Sequence, residues 1–132
     1  MAIPSQRDAL YSAKRDAVNA YTSAQRTKDK EKFLEATTRL QELAQKVIEA
    51  NNSAVSSIKS GYPVDVKSPQ ARQTYDRKMS DIRKSLSDAN QGISAFAPPS
   101  EMTPEGIRAV DAFVRAIDKA IDAHQAGCLN IR

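Results

Sequence analysis

The chain has 132 residues, 40% of them hydrophobic, and sets 20 Lys and Arg against 16 Asp and Glu for a formal net charge of +4. That length suits one domain, residues 1–132, able to bury roughly two-thirds of the surface of its unfolded form. One cysteine, Cys128, excludes an intramolecular disulfide, and the opening MAIPSQRDALYSAKRD, charged from Arg7 onward, lacks the apolar core of a signal peptide.

The first predicted helix covers residues 5–26, with Ser5 and Asp8 spaced as a capping box. Its seam of Leu10, Ala13, Ala17, Ala20 and Ala24, flanked by Tyr11, Val18 and Tyr21, is rich in alanine. Alanine buries little area, so this helix is expected to be either closely docked or the most easily detached. The run RTKDKEK that follows has neither Gly nor Pro. Thr27 or Asp29 is placed to cap a second helix after a tight reversal, which a monomer needs in order to bury both halves. A continuous rod from Ser5 to Ser60 is the alternative.

The second helix, residues 30–60, carries the broadest apolar stripe: Phe33, Ala36, Leu40, Leu43, Val47, Ala50 and Ala54, widened by Leu34, Ile48 and Val55. Lys59 in the last turn, Gly61 in a left-handed conformation and Pro63 are its expected stop signals. Ser68 and Pro69 then read as cap and first position of a third helix, 69–96, with a seam of Ala71, Tyr75, Met79, Ile82, Leu86, Ala89 and Ile93. Thr103 and Pro104 repeat that start for a fourth, 104–125, whose seam is Ile107, Val110, Val114, Ile117 and Ile121 and which Gly127 is expected to end. No stretch is apolar enough over the ~20 residues of a membrane span. The expectation is a soluble, cytoplasmic, all-α protein: a mostly antiparallel four-helix bundle with long central second and third helices.

Catalytic equipment is sparse. His124 and Cys128 stand four apart on the last seam, but a zinc site needs three or four ligands and no second histidine or cysteine exists. Phosphate-cradling motifs of the GxxxxGK[ST] and GxGxxG kinds are absent. Asp111, Asp118 and Asp122 alternate with Arg108, Arg115 and Lys119 in the manner of a solvated face. The sequence predicts no enzyme activity and no cofactor or metal.

Two function classes remain. The first is a non-catalytic helical protein-binding module (an adaptor, inhibitor, chaperone or assembly component) acting through amphipathic surfaces and self-association, with Leu10, Tyr11, Val18, Tyr21, Leu129 and Ile131 as partner-binding candidates. The alternative is nucleic-acid or polyanion binding, because the basic excess falls in residues 1–32 and 61–97. Lys14 and Arg15 on the first helix would join Arg77, Lys78, Arg83 and Lys84 on the third if those two helices lay side by side.

Overall fold

A computed structural model describes residues 4–58 and 61–131. Its helices are α1 (Arg7–Thr27), α2 (Lys30–Ser56), α3 (Pro69–Ser94) and α4 (Pro104–Asn130), with no strand among the described residues. Three starts follow their caps. Asp29 accepts the Lys32 N–H at 3.1 Å, Ser68 the Ala71 N–H at 3.0 Å and Thr103 the Gly106 N–H at 3.0 Å, each satisfying one orphan donor of a first turn. The first start differs. The Ser5 hydroxyl accepts from Arg7 at 3.1 Å, one residue early, and the cap position falls to Gln6, whose side chain makes no capping bond.

The reversal between α1 and α2 takes two residues, so the continuous rod does not form. Lys28 adopts φ 55° and ψ 37°, and the Lys28 and Asp29 N–H groups reach back to the carbonyls of Gln25 and Ala24 at 3.2 and 3.1 Å. This is a left-handed helix cap built without glycine. The end of α2 departs from expectation too: it stops at Ser56, and no described glycine has positive φ, so Gly61 is not a left-handed terminator. Lys59 and Ser60 lie outside the described residues. The connection instead lays Ile58 and Val66 against α3, and Tyr62 donates to Asp76 at 2.9 Å while standing edge-on to Tyr75.

Gly127 does not end α4. The helix passes through it to Asn130, and the glycine lets α3 pack closely there: a Cβ would lie 3.3 Å from both terminal methyls of Leu86. The extra turn carries Ile131 into the core, where it is fully buried and its N–H closes onto the Gly127 carbonyl at 3.0 Å.

The bundle runs up-down-up-down. α1 packs on α2 and α4, α3 packs on α2 and α4, and α2 meets α4 across the diagonal, whereas α1 and α3 make no contact among the described residues. The central pair is therefore α2 and α4, not the second and third helices. α3 buries one narrow stripe, Tyr75, Met79, Ile82, Leu86 and Ile93, while α4 buries residues from Gly106 to Cys128 against three neighbours and matches α2 in length at 27 residues. The core falls into two apolar clusters. One joins α1, α2, α4 and Ile93; the other joins Ala54, Ile58, Val66, Tyr75, Met79, Ile82, Leu86, Cys128 and Ile131.

A left-handed backbone costs a non-glycine residue about 1–2 kcal/mol, and glycine returns about 0.4–1 kcal/mol of that through its freer unfolded chain. Lys28→Gly should thus raise stability by about 0.5–1 kcal/mol, read as a higher urea midpoint at unchanged slope. A lower midpoint would contradict the turn geometry.

Candidate functional site

The boundary between the two apolar clusters is polar. Asn51 sits between Ala50 and Ala54 on α2, His124 between Ile121 and Cys128 on α4, and Asn90 between Leu86 and Ile93 on α3. Asn51 and His124 are 0% and 2% exposed. Buried groups of this kind must find partners or lose their hydration uncompensated, at about 1–3 kcal/mol each.

They find them in one directed chain. The backbone N–H of Gln6, which can only donate, points at His124 Nε2 at 3.1 Å. Nε2 is therefore the bare nitrogen and Nδ1 carries the hydrogen, donating to Asn51 Oδ1 at 3.1 Å. Asn51 Nδ2 donates to Asn90 Oδ1 at 2.9 Å, and Asn90 Nδ2 to Asn52 Oδ1 at 3.2 Å. The start of α1 and all three other helices are tied by this chain. A fixed donor at one end sets the polarity of every later bond, with no amide flip left open.

The same geometry removes the one nucleophile and base pair the sequence offers. Cys128 Sγ lies 3.8 and 3.7 Å from His124 Nδ1 and Nε2, nearly equidistant and so along neither lone pair, and both nitrogens are already engaged. Burial pushes the thiol up and the imidazole down, which keeps both groups neutral. Among the described residues, no three His, Cys, Asp or Glu side chains gather as a metal site.

A second polar seam joins α1 to α4. Tyr11 donates to Asp122, the Lys14 ammonium pairs with Asp118 at 2.6 Å, and the Tyr21 hydroxyl donates to Asp111 at 3.0 Å. Paired positions sum to nearly the same number, as an antiparallel register requires. Asp111, Asp118 and Asp122 are therefore anchors for α1, a correction to their reading as a solvated face. Arg7 and Lys14 flank the Tyr11 ring at 4.7 and 5.3 Å from its centroid. Partial burial and the bond to Asp122 push the Tyr11 phenol up to about 12, and burial with Asp111 raises Tyr21 as well.

The partner-binding candidates separate accordingly. Leu10, Tyr21 and Ile131 are buried in the bundle's own core, and Tyr11 and Val18 are partly buried against it. Leu129 alone of the six stands clear, 63% exposed. The polyanion candidates separate too. With α1 and α3 out of contact, the six cations do not share a face, and Lys14 is committed to Asp118. Arg15 is exposed on α1. On α3, Arg77 and Lys78 border a groove toward α4, Lys84 shares the outer face with Arg77 seven residues away, and Arg83 lies on the opposite flank.

That groove holds about 420 Å³. Its floor is Ile82 of α3 with Ala123, Ala126 and Gly127 of α4; Arg77, Lys78 and Asp81 stand at its edge. Small residues on α4 open it, and neither Arg77 nor Lys78 is held in an ion pair among the described residues. Sequence reasoning did not find it, because Ala126 lies off the seam and the floor is assembled from two separate helices. No family model, curated relative or solved structure matches the chain. No described helix is long and apolar enough to cross a membrane.

The His124 bonds have a pH signature. Its folded pKa lies below the usual 6.5, so the unfolded chain binds a proton more readily and stability is complete only above about 6.5. As pH falls from 6.5 through the folded value, the imidazole must gain a hydrogen on Nε2, facing the Gln6 N–H. The urea midpoint should be level above about pH 7.5 and fall toward pH 5.5, and His124→Gln should flatten that slope. An unchanged slope in the variant would contradict the role given to His124.

Proposed function

We propose that this chain is a non-catalytic helical protein-binding module, and that it receives an amphipathic segment of another protein in the groove between α3 and α4. The observation that carries the reading is the groove itself. It has an apolar floor of small residues, Ala123, Ala126 and Gly127 beside Ile82, and two uncommitted cations at its edge. Small floor residues let a guest backbone approach, and a helix laid in such a groove would bury its apolar stripe there. The neutral, fully hydrogen-bonded His124 and the buried Cys128 favour a binding role over a catalytic one.

The polyanion reading keeps only the cations of α3. Asp76, Asp81 and Asp88 are interspersed among them, and this balance makes it the second choice.

Ala126 is exposed, so Ala126→Trp fills the groove without entering the core. Proteins captured from extract by the wild-type chain should be lost with this variant, and direct titration of each should show at least a tenfold weaker affinity, as expected when a central contact site is blocked. Equal capture and equal affinity with the groove filled would refute the assignment.

A further inference from the structure

We propose that α1 is exchangeable: the face of α2 and α4 on which it lies also accepts α1 of a second copy of this chain, giving a domain-swapped dimer. Four features converge on that occupant. α1 touches α2 and α4 and not α3, so it can leave without opening the second apolar cluster, which contains no residue of α1. Its connection to α2 is two residues long and contains Lys28, the one non-glycine residue with positive φ among the described residues. The run from Arg26 to Lys32 has neither Gly nor Pro, so straightening it yields a continuous helix and removes the left-handed residue. Short hinges under strain favour exchange over closure.

The register also allows it. Tyr21 of α1 packs on Phe33 of α2, ring centroids 5.8 Å apart, and the pairing of the two helices is centred on the turn. Two straightened helices of residues 7–56, each about 75 Å long at roughly 1.5 Å per residue, would cross antiparallel near Lys28. Each α1 would then lie on the partner's α2 in the same register. The lateral bonds of the closed form, Tyr11 to Asp122, Lys14 to Asp118, Tyr21 to Asp111 and the Gln6 N–H to His124, would all form again between copies. One term opposes exchange. Arg26, Lys28, Lys30 and Lys32 outnumber Asp29 and Glu31 in each hinge, and the two hinges meet at the twofold axis. Salt screens that repulsion, so the dimer is favoured as ionic strength rises. Exchange leaves α3 and α4 within one chain, so it stands or falls independently of the groove and would present that groove twice.

The test is solution mass by light scattering after refolding from urea at high protein concentration, with reductant present. The wild-type chain should show a component at twice the 14.5 kDa chain mass, increasing with salt. Lys28→Gly should raise the dimer dissociation constant by about tenfold, since it relieves the hinge in the closed form. Lys14→Asp and Asp118→Lys each place like charges together within one chain. Refolded as an equimolar mixture, they should form a heterodimer in which both pairs are restored. A wild-type chain that stays at 14.5 kDa throughout, or a dimer in which the two charge variants do not pair preferentially, would overturn the proposal.

Discussion

The hydrogen-bond chain from the Gln6 N–H through His124, Asn51 and Asn90 to Asn52 is the constraint on which this bundle depends. Apolar seams of alanine, leucine and isoleucine specify which faces meet, but sliding one helix past another by a turn, about 5.4 Å, puts similar residues back in contact. A buried amide or imidazole allows no such shift. Each bond in the layer fixes one helix against the next, and the separate apolar clusters on either side inherit that alignment. The layer adds less to stability than the clusters do, since a satisfied hydrogen bond contributes only about 1 kcal/mol net. Its role is to make alternatives costly.

Around that layer the four helices are not equivalent. α2 and α4 form the central pair, touching each other and both neighbours. α3 binds through one stripe and through the connection folded over its first turns, leaving its other sides exposed beside the groove. α1 lies on alanines of its own seam and is gripped at the side by Asp111, Asp118 and Asp122. The two surfaces given a role in binding follow from this asymmetry. One is the face of α3 and α4 that no helix covers, and the other is the seat of α1, where Leu10 and Tyr21 are the bulky side chains buried among alanines and polar pairs to α4 grip the side.

Much of the fold was legible in the sequence because its signals are local. Asp29, Ser68 with Pro69, and Thr103 with Pro104 begin helices where capping chemistry requires, and the seams of α2, α3 and α4 supply the core. What was misread depends on distant partners. Gly127 resembles a terminator until Leu86 is seen packed against it. Asp111, Asp118 and Asp122 have the spacing of a solvated face, and only the residues of α1 reveal them as anchors. Leu10, Tyr21 and Ile131 appeared available to a partner because an apolar residue in a sequence does not say which surface buries it. The polar layer left one signal that was overlooked: Asn51 and Asn90 interrupt apolar stripes at positions where a surface residue would not fall. The groove left none, since its floor on α4 is alanine and glycine and Ile82 reads as an ordinary seam residue.

The polarity of the whole layer turns on a single hydrogen atom, the one on the His124 ring. Nitrogen-15 chemical shifts of the His124 imidazole at pH 7.5 report which ring nitrogen carries it. A neutral ring protonated at Nδ1, with that hydrogen slow to exchange and Nε2 bare, is the predicted result. A ring protonated at Nε2, or one averaging between tautomers, would mean that the layer does not hold the helices as described.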